Sequence, residues 1–267
     1  MNIPAGWKQA EVPTCIDDLC REIHKLCDTN TVACRGEPRP YPERISCFGR
    51  LCPELENSSE IERMLYDQFW HGALPHLTPS EAYMASQTVM SRLVLMQHHG
   101  VPTRVLDWTA SPWVAAYFAA QSPADEDGFV WAFSLDAEQA GRPSKWNSLA
   151  PLAHEKSPNK FFDSLETAPQ FVMVYSLNIA TPRTYAQQAL VTLAHPWNHD
   201  HVALLGRCLN EQKGTVLKIP ASLKKGLMER LRKMNVSGAT LFPGVDGIGR
   251  FLREGVEYRI PGWLITD

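Results

Sequence analysis

The stretch LMQHHGVPTRVLDWTASPWVAAYFAAQ, from Leu95 to Gln121, places histidines, an arginine, an aspartate and hydroxyl side chains in an apolar setting. Gly100 is typical of a helix end, and Ser111-Pro112 is typical of a helix start. The pattern predicts one helix before VPTRVLDWTAS and a short buried helix after it, with these residues as a tight connection. Polar groups there have to be hydrogen-bonded because few waters reach them. The stretch is therefore either a reaction site or a polar brace between core elements.

Individual residues of this connection allow both interpretations. Arg104 and Asp107 are expected to satisfy each other or backbone groups, as a buried charged pair must. Thr109 and Ser111 stand before a helix N-terminus, where free N–H groups favour an anion or a polar sugar. Simple capping of the helix would explain these two hydroxyls equally well.

The histidines give a weaker signal for chemistry. His98 and His99 could be general bases or metal ligands, but adjacent residues at a helix end point in different directions. The cluster HPWNHDH, residues 195–201, has loose metal-ligand character without a recognised zinc spacing. We predict structural roles for most of these side chains and no metal.

Composition indicates a folded protein. Apolar residues make up 44% and charged residues 21% of the 267 residues, and eight of them are tryptophan. The net charge of -3 gives no general attraction to nucleic acid. Seven cysteines, without paired zinc-type spacing or a secretory pattern at the N-terminus, favour a reducing cytoplasm. No apolar run is long enough to span a membrane.

The order of elements predicts a single α+β domain, in which N-terminal helices pack on a mixed β-sheet. Residues 1–31 form an N-terminal helical segment and residues 32–267 the main domain. Apolar spacing and capping signals predict a helix that is capped by Thr14 and ends near residues 28–30, a helix from Ser58 or Ser59 to His71, and helices at 78–100, 112–121 and 221–238. Residues 138–165 are expected to form a long loop with at most one helical turn. Strands are expected where β-branched and aromatic residues concentrate, in TVACRG, FVWAFSL, FVMVYSL, QALVTLA, GTVLKIP and ATLFPG.

These residues resemble a known family. QHHGVPTRVLDWTASPWVAAYFAA is similar to the hallmark of the FRG domain, which runs Gln-His-x-Gly-x-Pro-Thr-Arg-x-Leu-Asp-Trp-Thr into an apolar helix. CRG at residues 34–36 resembles the family's Phe-Arg-Gly, with cysteine in place of the aromatic residue. RTYAQQALV resembles its Arg-x-x-x-Gln-x-Gly-x-Phe, matching at Arg183 and Gln187 and departing at Ala189 and Val191. The resemblance covers most of the chain.

The order of these parts is also similar to ADP-ribosyltransferases. Their strand arginine, their hydroxyl before an apolar helix and their glutamate would correspond to Arg35, to Thr109 or Ser111, and to Gln187 or Gln188. Glutamine cannot stabilise the positive charge that develops when a nicotinamide glycosidic bond breaks, whereas a carboxylate can. Either another carboxylate serves, for which the candidates are Glu37, Asp107 and Glu257, or the acceptor needs no base.

The resemblance implies a β-sheet core of ADP-ribosyltransferase-like type, NAD as substrate, and a nucleic-acid or protein acceptor, as in a toxin or a defence against phage. The catalytic candidates are Arg35, Thr109, Gln187 and His98. Arg35 suits the pyrophosphate because its guanidinium binds phosphate oxygens in pairs. The residues predicted to contact NAD are Arg35, Gly36, Thr103, Arg104, Asp107, Trp108, Thr109, Ser111 and Gln188.

Two other classes of function stay open at this point. A nucleic-acid-cleaving enzyme with a histidine base is suggested by His98, His99, Arg104 and the basic helix KKGLMERLRK. A non-catalytic binding module would need the Arg-Asp-Trp turn only as a brace of the fold.

Overall fold

The computed structural model of the protein describes residues 2–28, 31–53, 58–177, 181–209 and 213–260. Its strands are β1 Trp7–Gln9, β2 Val32–Glu37, β3 Val105–Thr109, β4 Gly128–Ser134, β5 Phe171–Ser176, β6 Ala189–His195 and β7 Gly214–Ile219. They form one mixed sheet in the order β1-β7-β4-β2-β3-β6-β5. The strands β1 and β7 pair in parallel, and all other neighbours are antiparallel.

Helices pack against the sheet and lie between most of the strands in sequence. In the described residues they are α1 Ile16–Lys25, α2 Cys47–Leu51, α3 Ser58–Ala73, α4 Pro79–Ala85, α5 Val89–His98, α6 Pro112–Ala120, α7 Leu135–Ala140, α8 Ser144–Asn147, α9 Pro158–Glu166, α10 Pro182–Ala186, α11 His201–Gly206, α12 Ala221–Lys233, α13 Gly238–Leu241 and α14 Val245–Tyr258. Together with the sheet they make a mixed α/β fold, which agrees with the predicted α+β class.

Helix α6 is the element that packs closest to the sheet. It contacts β2 and β4, and a Cβ atom at Gly36 would lie 1.9 Å from the carbonyl oxygen of Ala115. A Cβ atom at Gly128 would lie 2.1 Å from the carbonyl oxygen of Ala119. Both strand positions therefore need glycine, because any side chain would push the helix off the sheet.

The N-terminal segment is joined to this core. Leu19 and Ile23 of α1 are fully buried in the cluster that also contains residues of α6 and α12. The strand β1 precedes α1 and adds to the edge of the sheet beside β7. Residues 1–31 thus contribute a strand as well as the predicted helix.

Most predicted elements are confirmed. Five of the six predicted strands correspond to β2, β4, β5, β6 and β7, and the predicted helices at the start of the chain, at 58–71, at 112–121 and at 221–238 correspond to α1, α3, α6 and α12, the last of which ends earlier than predicted, at Lys233. In these segments the apolar periodicity and the end signals agree, so local and tertiary preferences select the same element.

Two predictions around the opening stretch were wrong. Residues 78–100 form two helices rather than one, because Thr88 starts α5 by accepting a hydrogen bond from the Ser91 amide at 3.0 Å. Residues 105–109 form β3, at the centre of the sheet, instead of a connection between helices. The alternation of VLDWT gives one row of side chains to each face, which is the requirement of a strand between two partners.

Two further predictions failed because helix starts were overlooked. Residues 138–165 contain the end of α7, all of α8 and most of α9, and Ser157-Pro158 is an ordinary start signal for α9. ATLFPG is not a strand, since α13 occupies Gly238–Leu241 behind a reciprocal capping box of Ser237 and Thr240.

Candidate functional site

The centre of the sheet opens between β2 and β3. Cys34 and Thr109 form their one bonded register pair, and beyond it the strands separate. The Arg35 guanidinium enters this opening, where Nη1 donates to the backbone oxygen of Asp107 at 2.8 Å. Its Nε donates to Glu37 Oε1 at 3.2 Å. The Arg35 side chain therefore bonds to the β3 backbone where the backbone hydrogen bonds between β2 and β3 are missing.

A cavity of about 210 Å³ lies over this opening. It receives side chains from three strands and three helices, β2, β3, β6, α5, α6 and α10. The lining residues are Cys34, Arg35, Gly36, Val94, His98, Asp107, Trp108, Thr109, Phe118, Arg183, Gln187, Ala189 and Val191. Elements that are far apart in the chain therefore place two arginines, a carboxylate, an imidazole and an amide around one small space.

Asp107 is the carboxylate of this cavity. Solvent reaches its side chain through the cavity, although protein atoms surround it closely. This desolvation raises the pKa of Asp107, while the positive charges of Arg35 and Arg183 and a hydrogen bond from Gln97 oppose the rise. Gln97 Nε2 lies 2.6 Å from Asp107 Oδ2. A carboxylate that is accessible and also poorly hydrated is typical of a functional group rather than of a structural ion pair.

Arg183 and His98 form the opposite wall. The guanidinium lies over the ring of Phe242, 5.1 Å from its centroid, and Nη1 donates to the backbone oxygen of His98 at 3.4 Å. Burial, followed by the charges of Arg183 and His99, lowers the pKa of His98 to about 4. The imidazole is therefore neutral at neutral pH, next to an arginine that stays protonated.

Thr109 and Gln187 are fixed together at the end of β3. Thr109 Oγ1 donates to the backbone oxygen of Gln187 at 2.7 Å and accepts from the Ser111 amide at 3.0 Å. The Gln187 side chain donates through Nε2 to the backbone oxygen of Leu241 at 3.0 Å. Within the described residues its carbonyl oxygen Oε1 takes no hydrogen bond, so it can accept one from a ligand.

This arrangement can be compared with known families. Residues 31–128 match the family model of the FRG domain. The match supports the FRG family for this chain. Searches of curated proteins and of solved structures found no match. The matched range, called the FRG segment below, includes Arg35, Gly36, His98 and Asp107, whereas Arg183 and Gln187 lie beyond it.

Six predicted residues of the FRG segment lie together at the cavity: Arg35, Gly36, His98, Asp107, Trp108 and Thr109. Gln187 joins them from outside the FRG segment. Two of them have structural roles. The packing of α6 requires glycine at position 36. Trp108 Nε1 donates to Thr192 Oγ1 at 3.0 Å.

The sequence had suggested that Arg104 and Asp107 satisfy each other or backbone groups. In the structure these two side chains do not pair with each other. Arg104 is 1% exposed and binds Glu62 of α3, whereas the Asp107 side chain lies in the cavity. Thr103 is likewise buried and reaches the cavity only through Gln97. Neither Thr103 nor Arg104 lines the cavity, because both precede β3 and face the packed core.

Ser111 and Gln188 also lie outside the cavity lining. Ser111 is the N-cap of α6, where its Oγ accepts from the Val114 amide at 3.3 Å. Gln188 adopts a left-handed backbone with φ of 46°, and its backbone oxygen accepts from the Ala110 amide at 2.9 Å. Both residues shape the turns beside the site through local hydrogen bonds.

Sequence reasoning missed Gln97 and the role of Arg183. Arg183 matched an FRG pattern, and that match was the available signal for its place in the cavity. Gln97 belongs to the QHHG motif and is the next-to-last residue of α5. Among the three carboxylates proposed to replace a glutamate, Asp107 lines this cavity. Glu37 is bound by Arg35 and by Trp131 Nε1 at 3.0 Å, and Glu257 lines a different cavity of about 160 Å³.

The remaining histidines and cysteines do not assemble into a metal site in the described part of the chain, where no group of three or more His, Cys, Asp or Glu side chains could hold an ion. His201 is fully buried, with Nδ1 2.8 Å from Thr192 Oγ1. None of the described helices has the length and apolar character needed to cross a membrane.

Proposed function

We propose that this protein is an NAD-consuming enzyme, whose cavity binds the nicotinamide-ribose end of NAD and breaks the bond between nicotinamide and ribose. The observation that carries the proposal is the Asp107 carboxylate, which is open to the cavity and flanked by Arg35 and Arg183. The transferred ADP-ribose goes to a nucleic-acid or protein acceptor, or to water.

Asp107 supplies the function that Gln187 cannot. Cleavage of a glycosidic bond passes through an oxocarbenium-like state, which a nearby carboxylate stabilises. The electron pair of the C1′–N bond leaves with nicotinamide, whose ring nitrogen loses its positive charge. An oxygen of the acceptor bonds to C1′, and its proton passes to Asp107 or to solvent. The raised pKa of Asp107 suits this second role, since a base works best when its pKa approaches the working pH.

The other polar groups would hold the substrate. Arg183 and Arg35 match the phosphate oxygens of a dinucleotide, because guanidinium groups bind such oxygens in pairs. Gln187 Oε1 would accept a hydrogen bond from a ribose hydroxyl. His98 is neutral, so it does not repel the positively charged nicotinamide ring. The Thr109 hydroxyl already donates to the backbone oxygen of Gln187 and accepts from the Ser111 amide, so it serves to hold Gln187 in place.

The size of the cavity limits what it can enclose. Pockets for drug-sized ligands measure roughly 300–1,000 Å³, whereas this cavity measures about 210 Å³. We therefore expect it to take the nicotinamide-ribose part, with the adenosine part lying outside. The biological setting that we propose for this activity is that of a toxin or of an effector of phage defence.

The test is release of nicotinamide from NAD by the purified protein, followed by chromatography, with and without RNA, DNA and cell lysate. We expect Asp107→Asn to lower turnover about 100-fold, the usual cost of one electrostatic contact to the transition state. Asp163→Asn is the matched control, because Asp163 lies on the exposed face of α9 and pairs with Arg63. Its turnover should equal that of the unaltered protein.

Other outcomes would replace the proposal. No nicotinamide release with any addition, together with no thermal shift caused by NAD, would exclude NAD as the substrate. Cleavage of RNA or DNA that is lost in His98→Gln would favour a nuclease instead. The basic helix α12 lends that alternative little support, since Lys224 is buried and its Nζ lies 2.6 Å from the backbone oxygens of Pro38 and Pro123.

A further inference from the structure

A short chain of hydrogen bonds leads from the buried core to Asp107. Thr103 Oγ1 donates to Gln97 Oε1 at 2.9 Å, and Gln97 Nε2 lies 2.6 Å from Asp107 Oδ2. Thr103 is 1% exposed, so no water competes for its hydroxyl. The chain joins the last turn of α5 to β3, directly beside the cavity.

The Asp107 carboxylate and the Thr103 hydroxyl together hold the Gln97 amide in one orientation. A carboxamide has one accepting end and one donating end, and the two can exchange by rotation, whereas a hydroxyl can either donate or accept. An ionised carboxylate can only accept, so the NH2 group is turned toward Asp107 and the Thr103 hydroxyl donates to Oε1. In the reverse orientation Gln97 would present an oxygen to Asp107, and this would favour the protonated carboxyl group.

We propose that Gln97, anchored by Thr103, is a positioning residue that holds the Asp107 carboxylate ionised by occupying Oδ2, and so presents Oδ1 to the ligand in the cavity. The inference rests on the proposed function for its catalytic meaning. It assigns Thr103 an indirect role, which explains how a residue outside the cavity can belong to the same motif as the site.

The charges around Asp107 define what this hydrogen bond has to do. Arg35 approaches from β2 and Arg183 from α10, and both favour the ionised form. His98 on α5 is neutral at neutral pH and contributes no charge there. Desolvation acts in the opposite direction and is the largest influence on the carboxyl group. Loss of the Gln97 hydrogen bond would therefore raise the pKa of Asp107 further.

The experiment is a pH titration of the Asp107 carboxyl carbon by 13C NMR, with the resonance assigned from Asp107→Asn. We compare the unaltered protein with Gln97→Met, Thr103→Val and Thr103→Ser. Gln97→Met removes the donor, and Thr103→Val removes the hydroxyl that anchors it. In Gln97→Met the pKa of Asp107 should rise by about one unit, the effect of a hydrogen bond to a charged group. In Thr103→Val it should rise by less, because the amide can still donate to Asp107 but is no longer held in place. Thr103→Ser keeps the hydroxyl and should titrate like the unaltered protein.

The pH profile of NAD turnover provides a second readout. The acidic limb should move to higher pH in Gln97→Met and Thr103→Val by the same amount as the NMR titration, and stay in place in Thr103→Ser. An unchanged Asp107 titration in both altered proteins would overturn the inference. If even the unaltered protein releases no nicotinamide, the proposed function fails, while the NMR result still decides whether Gln97 controls Asp107. A folded Gln97→Met suffices for the test should Thr103→Val not fold.

Discussion

Arg104 Nε lies 2.8 Å from both carboxylate oxygens of Glu62, and each side chain is 2% exposed. The pair joins α3 to the residue that precedes β3, across 42 positions of sequence. Neither side chain of the pair lines the cavity. The pair is connected to the site through β3, the strand that carries Asp107.

Removing one member of this pair should be strongly destabilising. In Glu62→Gln the Arg104 guanidinium keeps its charge in a buried position, and such single changes cost about 3–5 kcal/mol. The double variant Glu62→Leu/Arg104→Met removes both charges and should be closer in stability to the unaltered protein than Glu62→Gln is. Urea unfolding measures these differences. A Glu62→Gln protein of undiminished stability would show that the pair does not brace β3.

Gly36 should tolerate no side chain. Gly36→Ala places a Cβ atom 1.9 Å from the Ala115 backbone oxygen, so α6 has to move. We expect a loss of about 3 kcal/mol or more, at or above the upper end of ordinary overpacking. Gly72→Ala is the control, because nothing lies within 4 Å of its added Cβ atom in α3. That variant should gain about 0.5–1 kcal/mol from the reduced freedom of the unfolded chain. Equal effects at the two glycines would contradict the packing described for α6.

Ser111→Ala should separate capping from ligand binding. The hydroxyl accepts from the Val114 amide and does not line the cavity. Loss of an N-cap costs about 1 kcal/mol, measurable by thermal unfolding. The KM for NAD of the remaining folded enzyme should not change. An increase in KM at constant stability would mean that Ser111 contacts the substrate after all.

The stability of the protein should fall as the pH drops below about 6.5. Burial lowers the pKa of His201 to about 3, and the pKa values of His98 and His195 to about 4. The unfolded chain protonates these rings near pH 6.5, so protons favour the unfolded state throughout the interval between those values. The raised pKa of Asp107 acts in the opposite direction and offsets part of the loss.

His201→Asn isolates one of these contributions. An asparagine can still meet Thr192 Oγ1, the partner of the ring, but takes up no proton. Between about pH 4 and pH 6 the variant should show a slope smaller by about 1.4 kcal/mol per pH unit, the value for one proton. Denaturant midpoints measured across this interval give the slope. A slope identical to that of the unaltered protein would mean that His201 is already protonated in the folded state.

The sequence predicted the elements that carry strong local signals better than it predicted the strand β3. Helices α1, α3 and α6 have clear starts and apolar spacing, and the later strands are rich in β-branched residues. The strand β3 was interpreted as a connection because Gly100 and Ser111 are strong end signals on either side of it. Its identity as a strand comes from pairing with β6, more than 80 residues later, and a local pattern cannot report such a pairing.

The same limit of local sequence patterns applies to the candidate site. Motifs identified Arg35, Asp107 and Gln187, each inside a short pattern. Gln97 was overlooked because its importance lies in its hydrogen bonds to Thr103 and Asp107, which no sequence pattern reports. Arg104 was expected to bind Asp107 or backbone groups nearby, whereas its partner Glu62 lies 42 positions away. Alternation along a strand sends residues 104 and 107 to opposite faces, which excludes the pair once the strand is recognised.

The order of strands in the sheet has a consequence for the FRG segment as a physical object. The segment contains β2 and β3 whole but ends at Gly128, the first residue of β4, and its two strands share a single bonded register pair. The neighbours that complete them, β4 and β6, come later in the chain, together with four residues of the cavity lining, among them Arg183 and Gln187. A recombinant fragment cut to residues 31–128 would expose unpaired strand edges and lack part of the site. The range of sequence similarity thus does not coincide with a unit that folds by itself. We expect the segment not to fold when it is transferred alone into another protein.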